Sequence, residues 1–204
     1  MPYPSDHRSR VRAKIVDAAR RVFNRRGFEA GSIEEIMAEA GMTRGGFYRY
    51  FASKSDLYAE VMDCFFTNPN WENRWDGVDL GDVTGPPGPL IVRAYLSRAH
   101  LREVEHACPM IALPGDVARG GEPARQAYAV ALTAMANRLQ VGGPDRPTAL
   151  AIAALCIGGM VVARAADHVA IANEVREAAL AAALKLGGWD AAYPRAFTGA
   201  APSA

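Results

Sequence analysis

Residues 32–51, Ser-Ile-Glu-Glu-Ile-Met-Ala-Glu-Ala-Gly-Met-Thr-Arg-Gly-Gly-Phe-Tyr-Arg-Tyr-Phe, constrain this chain more than any other stretch. They read as two short helices joined by a tight glycine turn. Ser32 and Glu35 form a Ser-x-x-Glu capping box, in which hydroxyl and carboxylate each satisfy an amide left unpaired at a helix start. Ile33, Ile36, Met37 and Ala40 follow at i, i+3, i+4 and i+7, an apolar stripe of about two turns. Gly41 ends the helix, because glycine adopts the left-handed conformation that closes one. Thr43 is placed to cap a second helix from Arg44 to about Tyr50. The spacing is that of a helix-turn-helix.

On the second helix Phe47 and Phe51 are i, i+4 partners and form its buried side, which leaves Arg44, Gly45, Tyr48 and Arg49 facing outward. A recognition helix sets its N-terminal residues against base edges in the major groove, and arginine can donate two parallel hydrogen bonds to guanine. Arg44 is therefore the best-placed base reader. Gly45 and Gly46 cost roughly 1 kcal/mol each relative to alanine within a helix; close approach of the backbone to DNA accounts for them.

A preceding helix is predicted from Val11, Ile15, Ala18, Ala19, Val22 and Phe23, a stripe that Gly27 terminates. Residues 1–30 hold eight basic side chains (Arg8, Arg10, Arg12, Lys14, Arg20, Arg21, Arg25, Arg26) and three acidic ones (Asp6, Asp17, Glu29), a local net charge of +5 in a chain of +1. Basic residues concentrated beside a helix-turn-helix are the footprint of phosphate attraction.

These pieces together resemble the DNA-binding domain of the TetR family of bacterial transcriptional regulators. The resemblance runs from Ile15 to Tyr58 and rests on Ile15-Val-Asp-Ala-Ala-Arg-Arg-Val-Phe, Arg26-Gly-Phe, Ser32-Ile-Glu-Glu-Ile, Ala40-Gly-Met-Thr-Arg-Gly-Gly-Phe-Tyr-Arg-Tyr-Phe and Ser53-Lys-Ser-Asp-Leu-Tyr. It implies an all-α homodimer: an N-terminal three-helix domain with the helix-turn-helix binds an operator, and a C-terminal helical domain binds ligand and dimerises. It also implies a repressor released from a palindromic operator by a small molecule. On the family pattern Ser32, Tyr48 and Lys54 touch phosphates, while Thr43, Arg44 and Gly45 lie at the groove floor. Gly46 departs from the threonine, serine or alanine common there.

The two domains are expected at residues 1–52 and 53–204. A chain of 204 residues, half of them hydrophobic, has core enough to fold. No run of about 18 uninterrupted apolar residues and no signal-peptide core is evident, so a cytoplasmic protein without a membrane span is expected. Cys64, Cys108 and Cys156 are an odd set without paired spacing, which argues against a disulfide scaffold or zinc site. Neither a metal nor a cofactor is expected.

Beyond Ser53, which opens another helix, Leu57, Val61, Met62, Phe65 and Phe66 continue an apolar stripe that couples the domains. Residues from Trp71 to Pro89 are rich in glycine, proline and aspartate and predict a loop. Helices are expected from Pro89 to about Ala99, Met110 to Arg119, Pro123 to Gln140, Pro147 to Asp167 and Asn173 to Leu186. The last two abound in small residues and are the dimerisation candidates, through Ala151, Ala154, Leu155, Gly158, Val162, Val175, Ala179 and Ala182; two such helices meeting their symmetry mates make an isologous four-helix interface.

Phe65, Phe66, Trp75, Tyr95, His100, Cys108, Met110, Tyr128, Met135 and Met160, with Trp71 and His106, offer aromatic and flexible apolar surface for a hydrophobic or aromatic effector. Tyr95-Leu-Ser-Arg-Ala-His and Cys108-Pro-Met-Ile-Ala-Leu also resemble a segment of one branch of the family, some of whose members sense electrophiles or oxidants through a cysteine. A buried, inert thiol is the preferred reading of Cys108. Two other classes are set beside the regulator: a DNA-binding protein without an effector, against which the large apolar middle region weighs, and a thiol enzyme using Cys108. The enzyme lacks an orienting third residue, a phosphate loop and a metal pattern.

Overall fold

A computed structural model describes residues 5–67, 85–112, 114–119 and 121–189, and every regular element among them is helical. The described residues form two compact units that do not follow chain order: one within Met1–Asn68 and Glu103–Thr133, the other within Pro69–Arg102 and Ala134–Ala204.

The first unit begins with α1 (Ser5–Arg26). Its stripe of Ile15, Ala18, Ala19, Val22 and Phe23 is wholly buried. Gly27, at φ +84°, closes the helix with its amide 2.8 Å from the Phe23 carbonyl. Helix α2 (Ile33–Glu39) starts as predicted, with the Ser32 hydroxyl accepting from the Glu35 amide at 3.0 Å. The reciprocal half of the expected capping box is replaced: Glu35 accepts from Arg26 Nε at 3.3 Å, a charge-assisted partner. Gly41 at φ +69° sends its amide to Ala38 O, and Met42 sends its own to Met37 O, which is the paired closure of a Schellman turn.

The element that follows, Arg44–Arg49, is a 3-10 helix rather than the expected α-helix, and Thr43 makes no side-chain cap bond. Two adjacent glycines weaken α-helical geometry, and so short a piece is within the range in which 3-10 turns occur. Phe47 anchors it, fully buried and stacked on Phe51 at 5.7 Å. In α3 (Lys54–Thr67), the Ser53 hydroxyl caps Asp56 N at 3.0 Å. Its Tyr58 meets Phe23 and Phe28 edge-on at 5.9 and 5.3 Å, tying α3 to α1.

For the rest of the chain, α4 (Gly88–Tyr95) and α5 (Arg98–Arg102) replace the single helix expected from Pro89 to Ala99. The break is held by the Ser97 hydroxyl capping His100 N at 3.0 Å and by Arg176 donating to Leu96 O at 2.8 Å. The helix expected from Met110 to Arg119 is likewise divided, into α6 (Pro109–Ala112) and α7 (Pro114–Arg119), because Pro114 has no amide hydrogen with which to continue a helix. Helices α8 (Glu122–Gln140), α9 (Arg146–Ala165) and α10 (Val169–Leu186) follow. Most of the loop predicted between Trp71 and Pro89 lies outside the described residues.

The second unit centres on α9 and α10. The inner side of α9 carries Ile152, Ala153, Cys156 and Met160, all buried. By length and composition α9 is also the one helix among the described residues long and apolar enough to cross a membrane, although no run of 18 uninterrupted apolar residues was evident; in this fold it packs along α10.

Candidate DNA interface

Burying Phe47 and Phe51 fixes what the recognition element turns outward. Thr43, Arg44, Gly45, Tyr48 and Arg49 are all exposed, Tyr48 by 64%. Ser32 is exposed at the start of α2, where its hydroxyl accepts a cap bond. A Cβ at Gly45 would meet no atom within 4 Å, so nothing inside the chain requires glycine there.

Lys54 does something the sequence did not suggest. Its Nζ donates to Phe28 O at 2.6 Å and Glu29 O at 3.2 Å, and it lies 4.7 Å from the Phe28 ring centroid. The ammonium closes the turn after α1, a structural role beside the phosphate contact expected of it. Charged donors on backbone carbonyls contribute about 1.5–3 kcal/mol. Lys54→Ala is therefore expected to lower unfolding stability by about 1–3 kcal/mol, read from the midpoint of urea denaturation. An unchanged midpoint would return Lys54 to a purely DNA-facing role.

The basic cluster is also narrower than its charge count. Arg20 pairs with Asp17 at 3.0 Å, Arg21 with Glu39 at 3.0 Å, Arg25 with Glu39 at 2.7 Å and Glu105 at 2.9 Å, and Arg26 with Glu35 at 3.3 Å. Hydrogen bonds from Arg25 and then Arg21 hold the Glu39 carboxyl below the usual carboxylate range. Arg12 pairs with Glu60. At least five of the eight cations in residues 1–30, Arg12, Arg20, Arg21, Arg25 and Arg26, thus have carboxylate partners, and the attraction predicted from net charge is correspondingly weaker.

Contacts missed in the sequence join residues 103–119 to α1 and the turn that follows it within the first unit. Asn24 Nδ2 donates to Glu105 O and Ala107 O, each at 3.0 Å, and Asp116 accepts from Phe28 N at 3.0 Å. Their partners lie 81 to 88 residues away, beyond any local pattern.

Of the expected effector residues, Cys108, Met110 and Tyr128 belong to the first unit, and Tyr95, His100, Met135 and Met160 to the second. Trp71 and Trp75 lie outside the described residues, as do the side chains of Phe65 and Phe66. Tyr128 donates to Met110 O at 3.3 Å, and burial pushes its hydroxyl up to about 12. His100 is 1% exposed, its Nδ1 lies 2.6 Å from Tyr95 O, and burial holds its pKa well below the usual value, which leaves the ring neutral at pH 7. Cys108 is wholly buried, and His106 sits 3.3 Å from Glu103, which fits the inert reading of the thiol.

The candidate dimer residues divide cleanly. Ala151, Ala154, Gly158 and Val162 are exposed along one face of α9, with Leu155 half-buried beside them; Val175 and Ala182 are half-buried on α10. Ala179 is the exception and a correction: it is 8% exposed and faces Gly159 inside the unit. An alanine-rich helix has too little polar contrast to reveal which face points inward.

Residues 15–61 match the family model described as bacterial regulatory proteins, tetR family. The regulator AcrR of Shigella flexneri is 40% identical over 58 residues, 28% of this chain and 27% of that protein. The regulator TtgR of Pseudomonas putida is 34% identical over 86 residues, 42% of this chain and 41% of its own length. The chain therefore spans well under half the length of these relatives. The reduced form of E. coli NemR has the same fold, with a TM-score of 0.65 over 86% of this chain and 96% of that one at 19% identity. The motif and the helical fold agree with these matches: residues 15–61 carry the DNA-binding domain of bacterial regulatory proteins of the tetR family.

Proposed function

We propose that this protein is a ligand-responsive transcriptional regulator, a cytoplasmic repressor that binds a palindromic operator as a homodimer and is released by a small hydrophobic or aromatic effector. The observation that carries the reading is the division of the Arg44–Arg49 element and its flanks: Phe47 and Phe51 buried, Thr43, Arg44, Gly45, Tyr48 and Arg49 outward. Arg44 reads a base edge, Gly45 admits the DNA backbone, and Ser32 and Tyr48 meet phosphates. Residues 1–52 read DNA; residues 53–204 take the effector and pair the chains.

Pairing is supported by the apolar stripe of α9. Val162 on α9 is 54% exposed and Ile171 on α10 is 45% exposed, large apolar side chains that a partner helix could cover. Two recognition elements spaced by about one duplex turn, roughly 34–36 Å, then fit the two half-sites. The effector acts by favouring dimers whose spacing does not match. Its chemistry is supported by the apolar character of the buried Met135 and Met160 within the second unit.

Arg44→Ala tests the reading directly. On a duplex selected by the wild-type protein from a random-sequence pool, affinity should fall by about 1–3 kcal/mol with preference relaxed at one base position. Binding to random duplex should change little. Equal loss on both duplexes would refute base reading by Arg44.

A further inference from the structure

The six-residue Arg44–Arg49 element has neither a side-chain cap at Thr43 nor α-helical geometry, so its direction must be fixed from outside. At its C-terminal end the supports come from α1. Arg12 Nε donates to Glu60 Oε1 at 2.7 Å, Nη2 donates to Glu60 Oε2, and Nη1 donates to Tyr50 O. The same guanidinium lies 4.2 Å from the Phe51 ring centroid. One turn earlier on α1, Arg8 Nη2 donates to Arg49 O at 3.3 Å. The carbonyls so engaged are among those a helix end leaves without internal partners.

This arrangement is geometrically demanding. A bidentate arginine–carboxylate pair fixes the plane of the guanidinium, and here that plane also places Nη1 on Tyr50 O. All three nitrogens of Arg12 therefore have partners within the chain. Glu60 lies on α3, so one side chain links α1, α3 and the end of the recognition element. A residue counted in the sequence as a general attractor of phosphate is committed to holding the reader in place.

We propose that Arg12, oriented by Glu60, is a positioning residue for DNA reading: it sets the trajectory of the Arg44–Arg49 element, so that discrimination between sequences, more than attraction to DNA, depends on it. The proposal rests on the regulator reading above. Electrostatics makes it separable from the simple alternatives. Glu60→Gln removes a negative charge from the DNA-binding unit and by charge alone should strengthen binding to every duplex; positioning predicts the opposite sign, on the selected sequence alone.

The experiment measures affinities of the full-length wild type, Arg12→Lys, Arg12→Ala and Glu60→Gln for the wild-type-selected duplex and for random duplex, each at several salt concentrations, with thermal melting alongside. Glu60→Gln and Arg12→Lys should each lose about tenfold on the selected duplex while random binding stays within about twofold and its salt slope is unchanged. If Arg12→Ala does not fold, the two milder variants carry the comparison. Equal losses on both duplexes with a salt slope lower by about one for Arg12→Ala would make Arg12 a phosphate contact and overturn the proposal. So would a lowered melting temperature with the selected-to-random ratio unaltered, or Glu60→Gln binding the selected duplex at least as tightly as wild type. A wild-type protein that does not discriminate removes the regulator reading and this proposal with it, whereas discrimination untouched by any variant removes the positioning role alone.

Discussion

Gly158→Arg is expected to leave each chain folded yet make it monomeric and unable to hold its operator. Gly158 is exposed on α9, and a Cβ there would meet nothing within 4 Å. Replacing glycine in a helix interior by a better helix former favours the folded chain by up to about 1 kcal/mol, so the monomer should melt no lower than its unassociated wild-type equivalent. The arginine stands, however, in the middle of the Ala151, Ala154 and Val162 stripe. At a close helix–helix contact it would bring a charge against its own symmetry copy. Loss of dimerisation removes the high effective concentration of the second recognition element, so operator affinity should fall by roughly 100-fold or more. Sedimentation equilibrium and operator titration check both halves. A dimeric variant with wild-type affinity would show that the α9 face is not the pairing surface.

The neighbouring glycine should behave in the opposite way. A Cβ at Gly159 would lie 2.6 Å from the Ala179 Cβ and 3.4 Å from Leu96 Cδ2. The Ala179 methyl has no torsion by which to move aside, so relief requires α9 and α10 to separate. Overpacking of this kind costs about 1–3 kcal/mol and occasionally more. Leucine adds three further carbons to the clash, so Gly159→Leu is placed at about 3 kcal/mol, a melting midpoint lower by about 6–12 °C for a chain of this size. Calorimetry of the monomeric background Gly158→Arg, with and without Gly159→Leu, isolates the term from dimerisation. A double variant that melts with its parent would mean that the helices are not in close contact at this point.

The contrast between these two glycines marks where sequence reasoning stops. Local signals are strong where one residue type serves one backbone need: Ser32 and Ser53 cap helices as expected, and Gly27 and Gly41 close them with positive φ. Alternation of apolar and polar residues likewise identifies the buried side of α1. Along α9 and α10, alanine and glycine occupy both faces, and the pattern that names a helix no longer says which side is inward; Ala179 was misplaced for that reason.

Long-range polar contacts are invisible for a different reason. Arg12 and Glu60 are 48 residues apart, and Lys54 reaches carbonyls 25 and 26 residues before it. In each case a cation whose sequence context suggests DNA is engaged by its own chain, because a short recognition element and a tight turn leave carbonyls that need donors. The effector residues were legible as apolar and buried in general, as Met110, Met135 and Met160 are, but composition does not say which of them share a surface.

Sequence-selective binding by a dimer is tested by titration of the purified protein against the DNA immediately upstream of its own coding region, at two salt concentrations, with random duplex as competitor. Saturable binding at two chains per site that outlasts excess random duplex and weakens as salt rises is expected. Binding that random duplex displaces equally well at both salt concentrations, followed by failure of genome-wide fragment selection to enrich any sequence, would contradict it.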